Sequence, residues 1–78
     1  MMLSRYNPVE NGERLKKLRL NAGLKIEAVA AGCDISASAL ALYESGERNP
    51  RDDVKINLAN FFKTNVQDIF YPQKVHLK

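Results

Sequence analysis

The sequence predicts an all-α domain built from five short helices around one core. Three observations lead there. Apolar residues recur at spacings of three and four in successive segments, the period of a helix with one buried face. Residue types that start or stop helices punctuate the chain between those segments. No stretch alternates strictly between apolar and polar side chains, as a half-buried strand requires.

The first helix opens at Asn7-Pro8-Val9-Glu10. Asn7 can cap it, Pro8 suits a first position whose N–H would have no partner, and Glu10 can reach back to the cap. Leu15, Leu18 and Leu20 are expected near one buried side, with Arg14, Lys16, Lys17 and Arg19 elsewhere. Gly12 weakens the first turn, and Gly23 ends the helix by accepting a left-handed conformation. A second helix is expected from Lys25 to Cys33, burying Ile26, Val29, Ala30 and Cys33. Ser36 starts the third, its hydroxyl available to the N–H of Ser38 or Ala39. Leu40 and Tyr43 form its buried face, and Ser45-Gly46 closes it.

Asn49-Pro50-Arg51 is a connecting turn. Asp52 and Asp53 then sit at the positive end of a fourth helix, where each negative charge contributes roughly 0.3–1 kcal/mol. Val54, Ile56, Leu58, Ala59, Phe61 and Phe62 give that helix a wide apolar surface. Asn65 is expected to cap a last short helix carrying Val66, Ile69 and Phe70, which Pro72 stops. Residues 1–71 are thus expected to form one domain, and 72–78 a flexible tail that includes His76.

Composition narrows the function classes. The 78 residues carry 12 Lys+Arg against 9 Asp+Glu, a net charge of +3, which is compatible with a polyanionic partner. Cys33 and His76 are the single residues of their types, too few for a disulfide framework or a Cys/His zinc site. Cys33 is expected to behave as a small buried apolar residue. Apolar runs are too short for a membrane span or a secretory signal, so a cytoplasmic protein without a membrane partner is expected. There is neither a Gly-rich phosphate loop nor a paired-carboxylate or nucleophile–base pattern, so no enzyme and no cofactor are expected.

Residues 24–44 hold the feature that points to a function. Two short helices joined by a tight turn, the second opened by Ser36, make a helix-turn-helix. Ala30 is small where the third helix crosses, and Gly32-Cys33-Asp34-Ile35 makes the turn and directs Ile35 into the core. The outward side of the third helix is left with Ala37, Ser38, Ala41 and Leu42.

With these residues and their neighbours, positions 12–70 resemble the lambda-repressor/Cro-type helix-turn-helix domain, also called the Xre family. The resemblance is carried by Leu15-x-x-Leu18-Arg19, Gly23-Leu24, Glu27-x-Val29-Ala30 and Ile35-Ser36-x-Ser38-x-Leu40. It continues through Tyr43-Glu44-Ser45-Gly46-Glu47-Arg48-Asn49-Pro50, its most specific part, then Leu58-Ala59 and Asn65-Val66-Gln67-Asp68-Ile69-Phe70. It implies a five-helix lambda-repressor-like DNA-binding domain acting as a transcriptional regulator on double-stranded operator DNA. Arg19 and Glu44 match positions that this family joins as a structural ion pair. Ser36, Ala37, Ser38, Ala41 and Leu42 match positions that face bases in the major groove. Lys25, Ile26, Arg48, Asn49 and Arg51 match positions that approach phosphates.

The chain also departs from the family. Ile26 stands where a Gln or similar polar residue is common, and Lys55 where an apolar residue is usual. The third helix lacks the Arg, Gln, Lys or Asn that the family often carries there. A single domain reads few base pairs, so a homodimer is expected, with Phe61, Phe62, Ile69, Phe70 and Tyr71 as its candidate surface. The alternative is a protein-interaction or antitoxin-like module on the same fold, its outward apolar face engaging a protein partner.

Overall fold

The computed structural model describes residues 6–72, which form five helices and no strand. They are α1 (Pro8–Asn21), α2 (Ile26–Gly32), α3 (Ala37–Ser45), α4 (Asp52–Phe61) and α5 (Val66–Phe70). The expected tail beyond Pro72, with His76, lies outside the described residues.

α1 packs against α3 and α5, α2 against α3, and α4 against α5. The most enclosed side chains are Leu15, Val29, Leu40, Leu58, Ile69 and Phe70, so every helix contributes to the same core. Each such side chain is worth roughly 1.5–3 kcal/mol when fully removed from water. Cys33 is buried among them, its Sγ 3.7 Å from the Asn57 carbonyl, and burial pushes its thiol pKa up. Among the described residues no single helix is long and apolar enough to cross a membrane.

The helix ends show why the chain turns where it does. Asn7 Oδ1 accepts the N–H groups of Val9 and Glu10, both at 3.1 Å. Ser36 Oγ accepts the Ala39 N–H at 3.0 Å. At the other ends, α1 to α4 stop in one way. The N–H of Leu24, Ile35, Glu47 and Thr64 reaches back to the carbonyl of Arg19, Ala30, Leu42 and Ala59, at 2.9–3.1 Å. The preceding residue sits in the left-handed region: Gly23 at φ 71°, Asp34 at 59°, Gly46 at 83° and Lys63 at 57°. This is the Schellman arrangement, which satisfies the last free carbonyls. It also explains why Leu24 and Ile35 turn inward, since the residue after the left-handed one folds back over the helix end.

Several expectations change. Leu20 is 57% exposed rather than on the buried side. It follows Leu15 by five residues, a rotation of about 140° around the helix. The second helix is one residue shorter at each end, with Lys25 and Cys33 as its caps. Asn65 sits at the start of α5 without a side-chain cap; its amide nitrogen faces Asp68 Oδ2 at 3.4 Å instead. Gly12 is no weak spot. It lies where α1 crosses α3, and a Cβ there would come within 2.3 Å of the Glu44 carbonyl oxygen.

The apolar surface proposed for a second copy also shrinks. Ile69 and Phe70 are 1% exposed, Phe61 and Phe62 are half-buried, and Tyr71 remains exposed. Phe61 lies over Gly32, and its ring meets that of Phe62 edge-on with centroids 5.1 Å apart. Lys55 is enclosed too, at 7% exposed. Its ammonium donates to Tyr71 Oη at 2.7 Å and lies 4.6–5.6 Å from the ring centroids of Tyr6, Tyr71 and Phe70. A cation among aromatic faces and a phenol oxygen recovers part of the hydration it loses.

Candidate nucleic-acid interface

The interface is built from α2, its turn and α3. The two helix axes are turned by 109° relative to one another, within the usual range for a helix-turn-helix. Val29 and Ala30 of α2 and Leu40 and Tyr43 of α3 are buried against the rest of the core, which leaves the opposite side of α3 to solvent. Asp34 makes the reversal possible by entering the left-handed region, which Asp tolerates better than most side chains.

An ion pair holds α3 against α1. Arg19 Nε donates to Glu44 Oε2 at 2.7 Å, and the second guanidinium nitrogen to Glu44 Oε1 at 3.0 Å. The remaining nitrogen donates to the Leu24 carbonyl at 3.0 Å, so one guanidinium braces both the end of α3 and the entry to α2. Both side chains are about nine-tenths buried. The hydrogen bond to Glu44 raises the Arg19 pKa, burial lowers it, and the carboxylates of Glu44 and Glu27 add to the rise.

Of the five residues matched to base-facing positions, Ser36, Ser38 and Ala41 are exposed. Ala37 and Leu42 are half-buried, and Ala37 packs against the core, so it offers less surface than its position suggested. Ser38, Ala41, Leu42 and Ser45 share one face of α3 by their spacing, which adds Ser45 to the stripe. The i, i+3, i+4, i+7 pattern could have shown Ser45 beforehand. Ser45 Oγ donates to the Leu42 carbonyl at 3.1 Å and accepts the Glu47 N–H at 3.3 Å.

The residues matched to phosphate-approaching positions divide in a similar way. Lys25, Arg48, Asn49 and Arg51 are exposed, whereas Ile26 is half-buried and packs against the core. Arg51 is not isolated. Its Nε lies 3.7 Å from Asp53 Oδ1, with both side chains more than two-thirds exposed. Among the described residues no three His, Cys, Asp or Glu side chains gather as metal ligands would.

A bundle whose second and third helices cross this way, with one face of the third turned to solvent, is a helix-turn-helix domain of the DNA-binding, transcription-regulating type. A helix-turn-helix family model matches residues 15–69, and the chain belongs to that family, the Cro/C1-type, Xre-like domains. Solved structures agree in fold. The restriction-modification controller protein C.AhdI from Aeromonas hydrophila is 29% identical with a TM-score of 0.76, over 80% of this chain and 94% of that one. A transcriptional regulator from Listeria innocua is 26% identical with a TM-score of 0.75, over 99% of this chain and 68% of that one. The BldD DNA-binding domain from S. venezulae, 24% identical with a TM-score of 0.71 over 82% and 96% of the two chains, shares the fold. A search of curated protein sequences finds no significant match.

Proposed function

We propose that the protein is a Cro/repressor-like regulator that binds operator DNA with α3 in the major groove and acts in the cytoplasm as a homodimer. The observation that carries this is the exposed face of α3, held at a fixed crossing by the buried Arg19–Glu44 pair and accompanied by exposed Lys25, Arg48, Asn49 and Arg51. Ser36, Ala37, Ser38, Ala41 and Leu42 then approach base edges, Ala37 and Leu42 through the part of each that is not buried. Lys25, Arg48, Asn49 and Arg51 contact phosphates, and Ile26 supports Lys25 through packing rather than through a polar contact. Such phosphate contacts fix register and orientation without reading sequence.

Two copies would place their third helices about 34 Å apart, one turn of DNA, on an inverted repeat. With Ile69 and Phe70 inside the core, the apolar surface left for that contact is Ile56, Tyr71 and the open edges of Phe61 and Phe62. Fluorescence anisotropy on labelled duplexes across a salt series tests the DNA reading. Affinity should fall steeply as salt rises, because each neutralised phosphate releases counterions. Absence of salt-dependent binding to any duplex overturns it.

One observation favours a second reading. The exposed stripe of α3 carries Ala41 and Leu42 at its centre, an apolar pair that a protein partner could cover, as in an interaction or antitoxin-like module. Replacing Arg48 and Arg51 together by Ala distinguishes the two. A DNA complex weakens, whereas a protein complex on the apolar stripe survives.

A further inference from the structure

We propose that α3 selects thymine, through the C5-methyl group, at the base pairs it faces. This rests on the DNA-binding reading above and names the class of sequence that reading would recognise. No Arg, Lys, Asn or Gln occurs between Ser36 and Ser45. Those are the side chains that form paired hydrogen bonds to guanine or adenine edges in the major groove.

The structure commits part of the remaining hydrogen-bonding capacity to the backbone as well. Ser36 Oγ accepts the Ala39 N–H at 3.0 Å, which leaves that hydroxyl its own proton and one lone pair. Ser45 Oγ both donates to the Leu42 carbonyl and accepts the Glu47 N–H. Ser38 is exposed, and its hydroxyl makes no hydrogen bond among the described residues. A serine pairs with a donor or an acceptor alike, so it discriminates weakly.

What the stripe presents instead is the exposed methyl of Ala41 and the open part of the Leu42 isobutyl group. In the major groove the one apolar mark on a base edge is the thymine methyl. Apolar surface on α3 gains by covering that methyl and loses by covering the unpaired amino and carbonyl groups of a G·C pair.

The test uses the whole chain and changes the DNA. Bound duplexes are selected from a random pool, and each selected thymine is then replaced in turn by uracil, which pairs identically but lacks the methyl. Selected half-sites should carry thymine opposite α3. Uracil there should weaken binding about fourfold per methyl, the value of one buried carbon group. Leu42→Ala should reduce the thymine-over-uracil preference at one position and leave the others unchanged. Equal binding of thymine and uracil duplexes, or selected half-sites built on G·C pairs, overturns thymine selection while DNA binding stands. Failure to enrich any duplex overturns the DNA reading itself.

Discussion

Arg19 and Glu44 show how one pair of side chains can set the geometry of an interface it does not touch. Each is buried, and each satisfies the other with two hydrogen bonds, so the cost of desolvating them is offset only while both are present. Arg19→Ala or Glu44→Ala strands a buried charge and should destabilise the domain by about 3–5 kcal/mol. A Met/Leu double replacement should cost much less, and urea unfolding of the three variants checks the order. Lys55 offers a pH test. Burial lowers its pKa, but the hydrogen bond to Tyr71 and the contacts with Tyr6 outweigh that and leave it above the ordinary 10.5. A group whose folded pKa is raised stabilises the fold fully below its unfolded value and loses that contribution as pH climbs through the folded value. Relative to Lys55→Met, the parent chain should therefore hold its advantage up to about pH 10 and lose it above, as alkaline thermal melts would show. A lysine inside a cage of aromatic rings could not be read from the sequence. Spacing places Lys55 on the face of Leu58, Ala59 and Phe62, but the rings that surround its charge, Tyr6 and Tyr71, reach it from far away in the chain.

At the scale of the helix, the four Schellman ends suggest opposite outcomes for similar substitutions. Asp34 and Lys63 hold left-handed conformations that cost a side chain roughly 1 kcal/mol each. Asp34→Gly and Lys63→Gly should each stabilise by about 0.5 kcal/mol, the strain relieved less the added freedom of the unfolded chain. Gly46→Ala goes the other way, since its φ is 83° and a Cβ would meet the Val9 backbone at 2.8 Å. Gly12→Ala is more informative. In an open helix that change gains up to about 1 kcal/mol, but here it should lose about 1–3 kcal/mol by pushing α1 off α3. Thermal melts of the four variants read all the signs. The stops at Gly23 and Gly46 were legible because glycine advertises a left-handed residue. The turn through Asp34 was placed by Gly32 to Ile35, but that Asp34 and Lys63 themselves take the left-handed position was not legible, because neither residue type requires that conformation.

Taken whole, the molecule is moderately basic, and not all of its positive charge is free of opposing charge. Arg48 stands exposed, whereas Arg51 lies 3.7 Å from Asp53. If both meet phosphates, Arg48→Ala should reduce the salt slope by about one unit, while Arg51→Ala should have the smaller effect. Asp53→Asn should tighten DNA binding, and anisotropy titrations at several salt concentrations measure all three. The sequence alone determined that the chain is helical, where its five helices lie to within a residue or two, and which family they form. Those properties follow from local periodicity, from turn residues and from Tyr43 to Pro50, all of which are written in neighbouring positions. Only the tertiary structure decided how much of α3 remains available for recognition. Ala37 is taken partly into the core, and Ile69 and Phe70 leave the surface altogether. Each of these depends on which distant residue comes to lie beside it, and that is set by packing rather than by spacing.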